Sequence, residues 1–191
     1  MSNKKKIFAV CGSTKKASLN LSLIHAIAAL TNADFELTIC NELAQIPHFN
    51  PDLDTDTPPE EVQSFRHKLR AADGVLICTP EYAMGVPGTL KNALDWTVSS
   101  CEFSQKPVAL ITASSLGEKA HASLLETLRI IESNVTDETQ MIIPFVKTKV
   151  ASDNTIKDAD TQKEIMKVMD SFKLLIEEHQ IANENQPLLN L

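Results

Sequence analysis

Glycine is scarce in this chain of 191 residues: there are five, at positions 12, 74, 85, 88 and 117. That scarcity excludes glycine-rich fibres and flexible linkers, and it makes the position of each glycine informative. Arginine is scarcer still, with Arg66, Arg70 and Arg129 alone, and 25 acids against 18 bases leave a net charge of −7. A nucleic-acid binder shows a basic stripe. The one basic run here, Lys4, Lys5 and Lys6, reads as the solvated start of a strand, so no nucleic-acid partner is expected. No uncharged apolar run approaches the ~18 residues of a membrane span, and no signal peptide is read at the start. The expectation is a cytoplasmic protein without a membrane partner, in which Cys11, Cys40, Cys78 and Cys101 are reduced thiols. There is no CxxC pair, and the five histidines show no ligand spacing with the cysteines, so no metal site is expected. Cys11, Cys40 and Cys78 close apolar runs and read as small core residues.

What is present is the composition of an ordinary soluble globular chain, 43% hydrophobic and 23% charged. The size predicts one domain over 1–191, with a core of about 6–180 and a polar tail at 182–191. Short apolar runs alternate with helical periodicity. Ile7-Phe8-Ala9-Val10-Cys11 is a buried parallel-type strand. A helix follows from Ser18, with Leu19, Leu23, Ile27 and Leu30 on one face. Residues 35–40 predict a second strand, and the proline-rich stretch 41–59 a long loop. Val62, Phe65 and Leu69 mark a second helix that stops before Gly74. Strands are then predicted at 75–79, 108–113 and 141–146. Leu90, Leu94 and Val98 stripe a third helix, and Pro87 suits its first position. Leu124, Leu128 and Ile131 stripe a fourth; Ile165, Met169, Phe172 and Ile176 stripe the last.

Five βα units in a row argue for a parallel sheet covered on both faces. Such a sheet binds its ligand at the carboxyl ends of its strands. Gly12, Gly85, Gly88 and Gly117 all fall there, whereas Gly74 reads as a helix stop on the opposite edge. The loop after the first strand, Gly12-Ser13-Thr14-Lys15-Lys16-Ala17-Ser18-Leu19-Asn20, feeds a helix N-terminus, where free N–H groups and the dipole suit a phosphate. A plain polar turn capped by Ser18 is the other reading. A P-loop is excluded because Ala17 and Ser18 fill its Gly-Lys positions. A Cys-x5-Arg phosphatase loop is excluded because position 17 is Ala17. The loop after the third strand runs from Thr79 to Gly88 and is stiffened by Pro80 and Pro87. It carries the only tyrosine, Tyr82, and the segment closes on the only tryptophan, Trp96. It reads either as a rigid cradle for a planar heterocycle or as an ordinary βα loop.

Gly12-Ser13-Thr14-Lys15 through Ser18 and Asn20, with Pro80-Glu81-Tyr82 and residues 87–96, resembles the NADPH-dependent FMN reductase family over about residues 6–180. The resemblance implies a flavodoxin-like three-layer sandwich, a five-stranded parallel sheet of order 2-1-3-4-5 with helices on both faces. It implies FMN and NADPH (or NADH) as cofactors. It further implies that Ser13, Lys15, Ser18 and Asn20 hold the FMN phosphate and that Pro80, Glu81, Tyr82 and Ala83 line the ring. Ser114, Ser115 and Gly117 would flank the ring from the loop after the fourth strand, where relatives carry more glycine. Lys15 stands where the family commonly has Arg, and Ala83 where it often has Asn. No catalytic side chain is expected, because the flavin carries the hydride chemistry. Tyr82 either borders the ring or gates the nicotinamide face, Glu81 reads as a solvated or loop-bracing carboxylate, and His121 reads as a solvated helix residue.

The implied activity is NAD(P)H-dependent reduction of a flavin, quinone, azo or metal-ion acceptor. A flavodoxin-like electron carrier and a binding module that has lost FMN are the alternatives. A homodimer or homotetramer is expected, with Trp96 buried either by a partner or within one subunit.

Overall fold

The structure is a computed structural model and describes residues 4–185. Five parallel strands, β1 (Lys5–Cys11), β2 (Phe35–Ile39), β3 (Gly74–Thr79), β4 (Val108–Ala113) and β5 (Gln140–Ile143), form one sheet of order β2-β1-β3-β4-β5. This is the flavodoxin-like order that the family resemblance implies. Side chains of a strand alternate between faces, so β1 feeds two cores. Ile7, Ala9 and Cys11 pack on one face with Leu23 and Ile27 of α1 (Leu19–Leu30) and with Ile165, Met169 and Phe172 of α6 (Ala159–Glu184). Phe8 and Val10 pack on the other face with α2 (Glu60–Ala71), α3 (Gly88–Asp95) and α4 (Glu118–Ile130) through Phe65, Leu90 and Leu124. Strands β3 and β4 are buried along their whole length, which is why they read as unbroken apolar runs.

The differences from the sequence-based expectations have local causes. β5 ends at Ile143 instead of continuing to residue 146. Pro144 has no N–H for the ladder, Phe145 turns at φ 54°, and a four-residue helix, α5 (Val146–Lys149), follows. The third helix stops at Asp95, so Leu90 and Leu94 are buried while Val98 is exposed; Pro87 caps that helix instead of opening it. Leu23 and Ile27 of the expected α1 stripe are fully buried, but Leu30 is exposed. Gly74 is the first residue of β3 and no helix stop. A Cβ there would lie 2.6 Å from the Phe172 ring and 2.9 Å from Ile176, so the packing of α6 demands its bareness. Helix α6 runs to Glu184, into the stretch expected as a tail; residues 186–191 of that tail lie outside the described residues.

Trp96 is fully buried within the chain. Its Nε1 donates to the Pro47 carbonyl at 2.8 Å, and Phe49 meets it edge-on at 5.1 Å. Arg66, Asp54 and Ser99 tie the long loop down beside it. Cys11, Cys40 and Cys78 are buried, and burial pushes all three thiols up, Cys40 to about 12. Among the described residues, no helix is long and apolar enough to cross a membrane.

Candidate functional site

The carboxyl ends of β1, β3, β4 and β5 surround a cavity of about 490 Å³. Its floor depends on Gly12, whose N–H donates to the Cys78 carbonyl at 2.8 Å. A Cβ on Gly12 would collide with the Thr79 hydroxyl and come within 2.8 Å of Thr79 Cβ, so only glycine lets the first loop cross β3 this closely. Past it, Ser13 and Ser18 are buried and Lys15 is exposed. Ser18 is the N-cap of α1 but makes no side-chain cap hydrogen bond. Its hydroxyl instead lies 3.9 Å from Cys11 Sγ. The first N–H groups of α1 therefore keep their donors for another acceptor.

Asn20 is the most buried of the polar residues here. Its Nδ2 donates to the Ala113 carbonyl at 3.0 Å, tying α1 to the end of β4. Its Oδ1 is buried and has no partner among the described residues. An unsatisfied buried acceptor costs about 1–3 kcal/mol, which marks the position as one that waits for a donor.

The β3–α3 loop closes one side. Tyr82 and Gly85 exchange both backbone hydrogen bonds, at 3.0 and 2.9 Å, around Ala83 (φ 49°) and Met84 (φ 59°). Two left-handed residues in a two-residue loop make the mirror-image tight turn that usually takes Asn-Gly. The turn points the Tyr82 hydroxyl to 3.1 Å from Ser13 Oγ, bridging the first and third loops. Glu81 braces the site: its N–H donates to Ser114 Oγ at 3.2 Å, and its carboxylate accepts from the Ala120 N–H at 2.9 Å, at the start of α4.

Gly117 caps α4 at φ 108°, a conformation that side chains rarely adopt, and a Cβ there would sit tightly at 3.1 Å from Thr112 and 3.2 Å from Ile142. The adjacent His121 is buried, not solvated. Gln140 Oε1 lies 2.9 Å from His121 Nε2 and can only accept, so the Nε2–H donates and Nδ1 accepts from the Thr112 hydroxyl, also at 2.9 Å. Burial pushes this imidazole below its ordinary value, and the ring stays neutral.

Nine of the eleven residues proposed from the sequence line this one cavity: Ser13, Lys15, Ser18, Asn20, Pro80, Glu81, Tyr82, Ser114 and Ser115. Ala83 and Gly117 do not; they shape the loops behind it. Sequence reasoning missed the fourth wall, Phe145, Val146, Lys147 and Thr148. Pro144 was the available signal there, as the residue that had to end the strand. A larger open groove of about 870 Å³ lies elsewhere, beside α2. Its guanidinium groups are paired with Asp54 and Glu102.

The sequence pattern of the NADPH-dependent FMN reductase family matches residues 5–148. The chain is similar to a 2-hydroxy-1,4-benzoquinone reductase of a Burkholderia species, 30% identical over 182 residues, 92% of this chain and 98% of the relative. It is similar to an NAD(P)H-dependent FMN reductase of Pseudomonas aeruginosa, 27% identical over 181 residues, 92% of this chain and 97% of the relative. Among solved structures, FerB, a flavoenzyme NAD(P)H:(acceptor) oxidoreductase from Paracoccus denitrificans, superposes with a TM-score of 0.75 at 28% identity, covering 92% of this chain and 98% of that one.

Proposed function

The chain belongs to the NADPH-dependent FMN reductase family, and on that premise we propose that FMN sits in the cavity at the carboxyl edge of the sheet and that the acceptor is a quinone. The observation that carries the assignment is Asn20. Its orphaned Oδ1 needs a hydroxyl donor in a cavity that is otherwise rich in donors, and the ribityl chain of FMN has hydroxyls to give. The free N–H groups at the start of α1, the Ser13 and Ser18 hydroxyls and the Lys15 ammonium hold the phosphate. Lys15 does so as a point charge, without the two-pronged grip of arginine. Pro80, Glu81 and Tyr82 on one side and Ser114 and Ser115 on the other border the ring, while Ala83 and Gly117 hold those loops in shape.

FMN supplies two-electron chemistry when bound, so that NAD(P)H gives up a hydride and a quinone gains two electrons and two protons, the second proton coming from water. The chain's own residues position and shield; none is required as an acid or base. Quinones are favoured because the 30%-identical relative, aligned over nearly all of both chains, is named for a benzoquinone. The reading also puts the enzyme in the cytoplasm, where NAD(P)H is found and buried thiols such as Cys78 stay reduced.

A second copy of the chain would cover the face between α3 and α4. Val98 and Ile130 stand 56% and 82% exposed there, and Lys91, Asp95 and Glu126 rim the same groove. Analytical ultracentrifugation tests that dimer; a monomer at micromolar concentration would refute it.

The functional reading is tested by loading the protein with FMN and following NADPH oxidation with 1,4-naphthoquinone. Turnover is expected, and replacing Ser13 and Lys15 together by Ala should weaken FMN at least tenfold. Protein that takes up no FMN would overturn the reading. FMN binding without NAD(P)H oxidation would leave an electron carrier.

A further inference from the structure

Phe145 stands where β5 gives way to α5, at φ 54° and ψ 41°. A side chain with a Cβ adopts this left-handed conformation at a cost, and glycine would avoid it. Burial does not repay that cost, because Phe145 is 61% exposed. The strain is nonetheless held firmly. The Phe145 N–H donates to the Ser115 carbonyl at 3.1 Å and the Val146 N–H to the Ser114 carbonyl at 3.0 Å, which pins the turn to the β4–α4 loop. Phe145 lines the cavity, as does Tyr82, itself 52% exposed. A strained, exposed, apolar side chain at the mouth of a ligand cavity contributes little to folding, and strained residues cluster at functional sites.

We propose that Phe145 is a specificity-determining residue, whose ring packs against the flat conjugated ring of the reaction partner. That chemistry is shared by a quinone and by the nicotinamide of NAD(P)H. The proposal rests on the cofactor reading above and adds the residue that selects what reacts there. Aromatic rings gain from offset or edge contact beyond the area they bury, and the backbone that carries this ring is already pinned by two hydrogen bonds, so less freedom is lost when the contact forms.

The test compares the FMN-loaded parent with Phe145→Gly, which relaxes the backbone and removes the ring, and Phe145→Tyr, which keeps a ring. The acceptors are 1,4-naphthoquinone and ferricyanide, a compact ion without a ring. If the quinone is the partner, the naphthoquinone-to-ferricyanide ratio of kcat/KM falls about tenfold in Phe145→Gly. If the nicotinamide is, KM for NADPH rises about tenfold with both acceptors. Phe145→Tyr should restore whichever changed. The proposal is overturned if the selectivity ratio and the KM for NADPH both stay within twofold of the parent. A drop in melting temperature without a change in either would assign the ring to packing and overturn it too. FMN fluorescence titration separates the two levels: a parent that binds no FMN defeats the cofactor reading, whereas normal FMN binding with unaltered selectivity defeats only the role of Phe145.

Discussion

The Glu81 carboxylate accepts a hydrogen bond from the backbone N–H of Ala120 at 2.9 Å, across 39 residues of sequence. With the Glu81 N–H bonded to Ser114 Oγ, it clamps the β3 and β4 loops to the start of α4. A carboxylate is well placed there, since the N-terminus of a helix carries unpaired donors and partial positive charge. Glu81→Ala should lower stability by about 1 kcal/mol and weaken FMN severalfold. Glu81→Gln, which keeps an acceptor oxygen, should recover most of both. Urea unfolding and FMN titration measure the two effects, and an Ala variant indistinguishable from the parent would remove Glu81 from this role.

The Ala83–Met84 turn is built from residues that poorly suit it, both at positive φ. Asparagine tolerates that region better than alanine. Ala83→Asn should therefore raise stability by about 0.5–1 kcal/mol, read as a higher melting temperature. A fall would mean that Ala83 makes contacts that outweigh its backbone strain.

Gly12→Ala tests how closely the first loop must cross β3. The new methyl meets Thr79, and forcing a methyl into a packed site typically costs about 1–3 kcal/mol. The double variant Gly12→Ala, Thr79→Ala should regain part of that loss. Additive losses in a double-mutant cycle would show that Thr79 is not the obstacle.

His121 should make stability depend on pH. Its imidazole titrates near about 6.5 in the unfolded chain and lower in the fold, where burial outweighs the hydrogen bond to Gln140. Between those two values the unfolded chain binds more protons, so stability is full above about 6.5 and is lost as the pH falls through the folded value. The parent should lose urea resistance between pH 7 and pH 5, and His121→Gln should lose less. His179, shifted the same way by burial and by Lys106, accounts for part of the remainder. Identical pH slopes in parent and variant would clear His121.

Much of the fold was legible because burial on both faces of a parallel sheet leaves a plain trace. Val75, Leu76, Ile77 and Cys78 have no polar alternative to being core, and the spacing of Val62, Phe65 and Leu69 is that of one helical face. The first loop was legible as a wall of the cavity because its residues are contiguous. Phe145 and His121 were not. The exposure of the first follows from a turn set by Pro144 and by carbonyls thirty residues earlier, and the burial of the second, on α4, from contacts that include Gln140 of β5.

The sequence by itself determined the alternation of strands and helices and the four glycines at one edge of the sheet, since periodicity and missing Cβ atoms are properties of single residues and their neighbours. Only the tertiary structure decided that Gly74 makes room for Phe172, that Trp96 is covered by Pro47 and Phe49 of its own chain, and that the cavity has a fourth wall. These depend on which surfaces meet, and contacts between segments far apart in the chain leave no period in the sequence to read.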